Sequence, residues 1–372
     1  MVYKVIGLMS GSSLDGLDIV YSHLQENAGK WTYEIVKSEC YPYTPEWIKA
    51  LTTATDLSAK EYQLLHASYG HFLGQQVNRF IEENNLHYQV QLIASHGHTT
   101  FHIPQKKMTS QLGDGAAIAA ETSINVISDL RAMDIALGGQ GAPIVPIGEK
   151  LLLGGYDFFL NLGGIANISA SPYSSVDSKS FVAFDICPAN RILNMLASKE
   201  GKSFDENGEM AAKGLVKPDL LETLNHFEYY SLPFPKSLAN DFGTDQLYPA
   251  IQNAGYDVHD SLRTYVEHIC TQVKNSVYQL ITGSEILKEG YKLLATGGGA
   301  HNIFLAERLK KFLDPLHVEL VIPEKTLIDY KEALIIGLIG VLRWREENNV
   351  LSSVTGATRN SIGGAVWIGQ QI

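Results

Sequence analysis

The stretch V-I-G-L-M-S-G-S-S-L-D-G-L-D-I-V at residues 5–20 decides the fold. It reads as strand, tight turn, strand: an apolar run to Met9, then Ser10, Gly11, Ser12 and Ser13, then a second strand rising through Leu17 and Ile19. Successive backbone N–H groups in such a turn, with hydroxyls beside them, form a concavity that suits phosphate oxygens. Glycine there lets a ligand come close to the main chain. An ordinary hairpin with a polar tip looks the same in isolation. Two further stretches tilt the balance, F-L-N-L-G-G-I-A-N-I-S at 159–169 and L-L-A-T-G-G-G-A at 293–300, because both also run apolar strands into glycine turns. All three turns are expected to face one nucleotide.

Outward from that stretch, residues 2–9, 17–25 and 31–43 read as a strand meander, which implies antiparallel pairing. Residues 45–54 and 58–84 read as helices. The second carries an apolar stripe through Tyr62, Leu65, Tyr69, Leu73, Val77 and Phe80, and Ser58 with Glu61 has the spacing of a capping box. Strands follow at 90–95 and 99–103, a helix at 114–122 and a strand at 125–129. The glycine- and proline-rich run A-L-G-G-Q-G-A-P-I-V-P at 136–146 reads as the entry to a second domain. From there the grammar repeats: strand, turn and strand at 158–170, a strand at 181–186, then helices that include 188–199 and 260–282. A strand at 293–295, a helix at 303–312, a strand at 318–322 and a helix at 330–347 complete it. The expected fold class is α/β, two lobes of mixed sheet flanked by helices with an interlobe cleft. The first lobe is expected to hold 1–130 and 352–372, the second 131–351.

A chain of 372 residues favours two domains over one core. The formal net charge of −11, with no Lys/Arg run, argues against nucleic acid or an anionic membrane as partner. Cys40, Cys187 and Cys270 are odd in number and widely spaced, which points away from a disulfide framework and toward a reducing compartment. The longest apolar run, ten residues at 333–342, is too short to span a bilayer. A cytoplasmic protein is expected.

Several chemistries are excluded by spacing. Gly201-Lys202-Ser203 lacks the earlier glycine of a Walker loop, no G-x-G-x-x-G follows a strand, and neither H-E-x-x-H nor G-x-S-x-G occurs. Three polar sites remain. The loop A-S-H-G-H-T-T at 94–100 crowds polar groups at a strand end, either for a ligand or as a self-satisfied turn. Arg131 stands near Asp129 and Asp134, as an interlobe salt bridge or as a fork for an anion. Asp185, in F-D-I-C-P-A-N-R at 184–191, ends an apolar strand and reads either as a general base or as a helix N-cap.

Taken together, G-L-M-S-G-S-S-L-D-G-L-D at 7–18, S-H-G-H-T at 95–99, D-L-R-x-x-D-x-A-x-G-G-Q-G-A-P at 129–143, N-L-G-G-I-A-N at 161–167, F-D-x-x-P-A-N at 184–190, T-G-G-G-A-H-N at 296–302 and K-E-A-L at 331–334 resemble the anhydro-N-acetylmuramic acid kinase family. The resemblance runs in order over nearly the whole chain. It implies the two-lobed, ribonuclease H-like ATPase fold of the actin and hexokinase superfamily. It further implies a phosphotransferase of cell-wall recycling that moves the γ-phosphate of ATP to O6 of 1,6-anhydro-N-acetylmuramic acid while water opens the ring at C1. ATP is expected on a first loop of Gly11, Ser12, Ser13, Leu14, Asp15, Gly16, Leu17 and Asp18. A second loop of Asn161, Gly163, Gly164 and Asn167 and a third of Gly297, Gly298, Gly299 and Asn302 complete its site. Mg²⁺ is expected through water on Asp15 or Asp18. Asp185 matches the family's base, Arg131 and Glu332 its sugar contacts, with His96 and Asp114 as further candidates, and a homodimer is implied. Ile186, Cys187 and Asn194 stand where the family has Thr, Gly and Asp, and His98 where it has Gln. Those departures leave room for another anhydro or amino sugar, or for a non-catalytic ATP-gated binding protein.

Overall fold

The computed structural model describes residues 1–11, 13–170, 181–234, 236–238, 241–284 and 288–369. Ser12 of the first loop lies outside these. The chain divides into two compact units, residues 1–153 with 330–372 and residues 154–329.

In the first unit, β1 (Val2–Ser10), β2 (Gly16–Asn27) and β3 (Lys30–Pro42) form the expected antiparallel meander, with Met9 opposite Asp18 and Ser10 opposite Leu17. β4 (Leu92–Ser95) runs parallel to β1, followed by the hairpin of β5 (His98–Ile103) and β6 (Met108–Leu112). β7 (Val126–Ser128) is parallel to β4, and the C-terminal strand Ala365–Trp367 closes the edge antiparallel to it. β1 reads as a continuous apolar run because both its faces are covered, as a central strand requires. On one side Ile6, Leu8, Leu17 and Ile19 meet Tyr69, Leu73, Val77 and Phe80 of the helix Ala59–Glu83. That helix starts at a complete capping box between Ser58 and Glu61. On the other side the helix Lys325–Trp344 presses its main chain onto the sheet. A Cβ on Gly7 would collide with the Ala333 carbonyl, and one on Gly340 would come within 2.5 Å of Ala94 Cβ. Gly337 and Gly340 thus let this helix sit closely on its own sheet.

The second unit repeats the pattern. β8 (Phe158–Leu162), β9 (Ile165–Ala170) and β10 (Val182–Pro188) form an antiparallel meander, and β11 (Tyr291–Thr296) and β12 (Val318–Val321) run parallel to β8. Its core joins Leu160, Ile168 and Leu293 to Ile192 and Leu196 of the helix Asn190–Ser198 and to Tyr265, Ile269 and Val273 of the helix Val258–Thr282. Numbered in chain order within each sheet, both sheets have the order 3-2-1-4-5, the first with one extra edge strand. This is the duplicated ribonuclease H-like arrangement of actin-like ATPases, as the resemblance implied.

The boundaries differ from those expected at 130/131 and 351/352. Residues 131–153 look like a hinge in composition but are fastened to the first unit. Asp134 accepts from Thr355 Oγ1 and Gly141 N, both at 2.7 Å, and Glu149 pairs with Lys331 at 2.8 Å. Partners about 180 to 220 residues away hold the segment, and local composition cannot reveal them.

Candidate active site

Parallel strands bring ligand-binding turns to their C-terminal ends. In the first unit the C-termini of β1 and β4 lie side by side, with His96 N donating to Leu8 O at 3.1 Å. A cavity of about 280 Å³ opens there, lined by Ser10, Gly11, His96, His98, Thr99, Arg131, the loop 141–145 and Glu332. The structure therefore gathers three of the four expected sugar residues, His96, Arg131 and Glu332, at one wall.

Arg131 is buried, and neighbours fix its guanidinium. Nε donates to Gly141 O at 2.6 Å, Nη1 to Thr99 Oγ1 at 3.0 Å, and Nη2 lies 3.2 Å from the His102 ring nitrogens. Among the described residues it makes no salt bridge. Burial pulls its pKa down to about 10 while Asp134 opposes, so it stays a cation at neutral pH. Glu332 follows Lys331, whose ammonium pairs with Glu149 in the protein interior. Burial raises the Glu332 pKa, with Lys331 pulling it back and Glu149 adding to the rise. Asp114 is the fourth candidate and does not line this cavity. Its Oδ1 caps the helix Gly115–Thr122 by accepting from Ala116 N at 2.9 Å. Thr99 and His98 are additions to the wall, signalled by the crowded polar loop at 94–100, and His102, which touches Arg131, had no signal in the sequence.

The first glycine turn divides in two. At its tip, Leu14 has a φ of 56° and Asp15 Oδ1 accepts from Ser13 Oγ at 2.6 Å and Gly16 N at 3.2 Å. Gly16, Leu17 and Asp18 belong to β2. Leu17 is buried in the core, and a Cβ on Gly16 would meet Cys40 Sγ at 2.6 Å. Packing against β3, and not ligand approach, requires glycine at 16. Among the described residues, Gly16, Leu17 and Asp18 are thus strand, and Gly11, Ser13, Leu14 and Asp15 make the turn.

In the second unit the remaining two glycine turns touch. Asn161 on β8 is the register partner of Thr296 on β11. Gly297 has a φ of +80°, and a Cβ there would clash with Asn161 Oδ1 and stand 2.9 Å from Leu162 C. Gly163 and Gly164 have little around them, and Asn161 and Asn167 are paired across the hairpin. The start of the helix Asn190–Ser198 braces the turn. Ala189 N donates to Gly164 O at 2.8 Å, Asn190 N to Gly163 O at 3.1 Å and Asn190 Nδ2 to Leu162 O at 2.8 Å. Asn190 was visible only as the last letter of P-A-N. Asn302 caps the helix Ile303–Leu313 through Leu305 N.

Asp185 sits beside a bulge in β10 and is half-buried. Its Oδ2 accepts from Leu238 N at 2.8 Å and Ser237 Oγ at 3.1 Å, while its carbonyl accepts from Tyr229 Oη at 2.6 Å. Oδ1 has no partner among the described residues. Burial raises the carboxyl pKa above its ordinary 3.8, and the two hydrogen bonds oppose that. It is no N-cap, since the next helix begins at Asn190. Ile186 and Cys187 lie in the hydrophobic core of the unit.

Known proteins resemble this chain along nearly its whole length. A sequence model of the family described as anhydro-N-acetylmuramic acid kinase matches residues 3–369. Proteins of that name from Aliivibrio fischeri and Sulfurovum sp. are each 32% identical, over 98% of this chain and 99% of theirs. The one from Haemophilus influenzae is also 32% identical, over 97% of both chains. Among solved structures, the activator of 2-hydroxyisocaproyl-CoA dehydratase from Clostridium difficile with bound ADPNP aligns over 93% of this chain and 96% of its own, at 13% identity and a TM-score of 0.41. With a match that spans nearly every residue and relatives covered from end to end, the chain belongs to the anhydro-N-acetylmuramic acid kinase family.

Proposed function

We infer that this protein is an ATP-dependent phosphotransferase that converts 1,6-anhydro-N-acetylmuramic acid and water to N-acetylmuramic acid 6-phosphate, with release of ADP. The observation that carries the chemistry is Asp185, a family-matched carboxylate held through Oδ2 and open at Oδ1, with its basicity raised by burial. In this reading Oδ1 accepts a proton from the water that attacks C1. The water oxygen bonds to C1 as the C1–O6 bond breaks, and the departing O6 takes the γ-phosphoryl group. No separate acid is needed for O6, because phosphorus replaces the proton. Arg131, a fixed cation, and Glu332 hold the sugar, and His96 contributes from the same wall. Backbone amides of residues 11–15, Gly163, Gly164 and 297–299 serve the phosphates and adenosine, as turn amides do for anions.

Magnesium, when bound, neutralises charge on the transferring phosphoryl group. The described residues contain no group of three or more His, Cys, Asp or Glu that could hold a metal. That fits an ion that keeps several waters and is bound mainly by phosphate oxygens. Asp15 is exposed and has only its Oδ1 engaged, so it is the residue placed to reach such a water. A cytoplasmic setting follows from ATP as donor, and no helix among the described residues is long and apolar enough to cross a membrane. A homodimer is carried over from the resemblance, and sedimentation velocity tests it.

Incubation with ATP, Mg²⁺ and 1,6-anhydro-N-acetylmuramic acid is expected to release ADP and the 6-phosphate. No ADP at millimolar sugar overturns the reading. Ile186 and Cys187 lie in the hydrophobic core, so a shifted substrate would have to be read by other departures, of which His98 lines the cavity.

A further inference from the structure

Behind the first-unit cavity, four polar side chains are joined end to end. Tyr69 Oη lies 2.6 Å from Tyr43 Oη, Tyr43 donates to Ser10 Oγ at 2.8 Å, and Ser10 Oγ lies 3.0 Å from His98 Nδ1. Tyr69 is wholly buried, and the other three are under 8% exposed. Each hydroxyl has one proton to give, so the chain has a direction. Tyr43 donates to Ser10, so Tyr69 donates to Tyr43, and the Ser10 proton is left for Nδ1. The reverse direction would need Tyr43 to donate to Tyr69, whereas the Tyr43 proton already lies on Ser10 Oγ. Nδ1 of His98 is therefore an acceptor. In a neutral ring the hydrogen then sits on Nε2. Burial lowers the His98 pKa, which keeps the ring neutral at pH 7.

His96 is set the opposite way. Its Nδ1 lies 3.0 Å from Gly97 O, and a carbonyl can only accept, so Nδ1 carries the hydrogen and Nε2 a lone pair. Burial and the Arg131 charge pull its pKa down to about 4, so it too is neutral. Both rings line the cavity, both are nine-tenths buried, and neither Nε2 has a partner among the described residues. The wall thus presents one uncharged donor and one uncharged acceptor from residues two apart.

We propose that His96 and His98 form a specificity-determining pair that reads a sugar hydroxyl, whose oxygen accepts from His98 Nε2–H and whose hydrogen goes to His96 Nε2. A hydroxyl is donor and acceptor at once, whereas a carboxylate or phosphate offers His96 nothing to accept and an ammonium offers His98 no lone pair. The ligand class rests on the sugar-kinase reading. The tautomers do not.

Long-range ¹H–¹⁵N spectra of the full chain, labelled at histidine, read the tautomers without ligand or turnover. Protonated Nε2 on His98 and protonated Nδ1 on His96 are expected, and Tyr43→Phe is expected to turn His98 into a tautomer mixture while His96 stays as it was. The same tautomer on both rings of the wild type overturns the proposal. Calorimetric titration with 1,6-anhydro-N-acetylmuramic acid in the presence of ADP reads the pairing. His98→Met is expected to weaken sugar binding about tenfold, the scale of one lost donor, with ADP affinity retained. His98→Gln, which restores an N–H, falls between the two. Wild-type affinity in His98→Met also overturns the proposal. A wild-type chain that binds ADP and shows the stated tautomers but takes no anhydro sugar overturns the substrate reading instead.

Discussion

The two sheets share one strand order and finish it differently. In residues 1–153 with 330–372, side chains build the wall beyond the strand ends: one guanidinium, one carboxylate and two neutral imidazoles. In residues 154–329 the matching ends carry glycines and the amides Asn161, Asn167 and Asn190, tied together through backbone groups. Topology brings turns to the ends of parallel strands in both. What each turn recognises is decided by residues that topology does not choose. A wall of mixed charge and neutral polar rings suits an asymmetric sugar, and a wall of backbone amides suits the repeated oxygens of a triphosphate.

That contrast breaks most sharply at Asp185. Asp185→Asn is expected to lower kcat by about 10²–10⁴, the range for loss of a positioned base, with ADP affinity measured by calorimetry unchanged. Normal turnover in this variant removes Asp185 from the chemistry. Burial raises its pKa, and only the deprotonated form takes a proton from water. The acid limb of kcat/KM should therefore lie above the ordinary carboxylate value of 3.8, activity falling as pH drops through it. Gly297→Val comes next. A β-branched residue at φ +80° beside Leu162 is strained by about 1–3 kcal/mol and displaces the Asn161 side chain. ATP affinity should fall roughly 100-fold while anhydro sugar still binds. Arg131→Met is the mirror test, removing a charge-assisted contact worth about 1.5–3 kcal/mol. Sugar affinity should fall at least about tenfold with ATP binding kept. If both variants lose both ligands, the division of labour between the sheets is wrong.

Features that depend on neighbours close in sequence were readable. The capping box at Ser58 and Glu61 and the strand meander each follow from local geometry, and the structure has both. Features set by distant partners were not. Gly16 read as part of the turn, with the strand expected only from residue 17, because nothing local marks the packing that Cys40 and Tyr41 impose on it. The run at 136–146 read as the entry to a second domain because Thr355 and Lys331, which fasten Asp134 and Glu149 on either side of it, lie far along the chain. Asp114 shows a different limit. A carboxylate caps a helix and binds a sugar with the same atoms, so only coordinates separate the two roles.

The smallest effect tests whether the two sheets are separate bodies in folding as well as in recognition. Each unit carries one helix of 25 residues, Ala59–Glu83 and Val258–Thr282, and each begins with a side-chain cap. Ser58 accepts from Glu61 N at 3.3 Å, and Asp257 from Asp260 N at 2.9 Å. Replacing either cap by alanine should cost about 1 kcal/mol, a shift of about 2–4 °C for bodies of this size. The sheet-and-helix cores described for the two units share no residue, so heat should unfold them in separable transitions. In scanning calorimetry Ser58→Ala should then move one transition and Asp257→Ala the other. If both variants lower a single common transition, the units fold as one body, and the likeness of their strand order ends at topology.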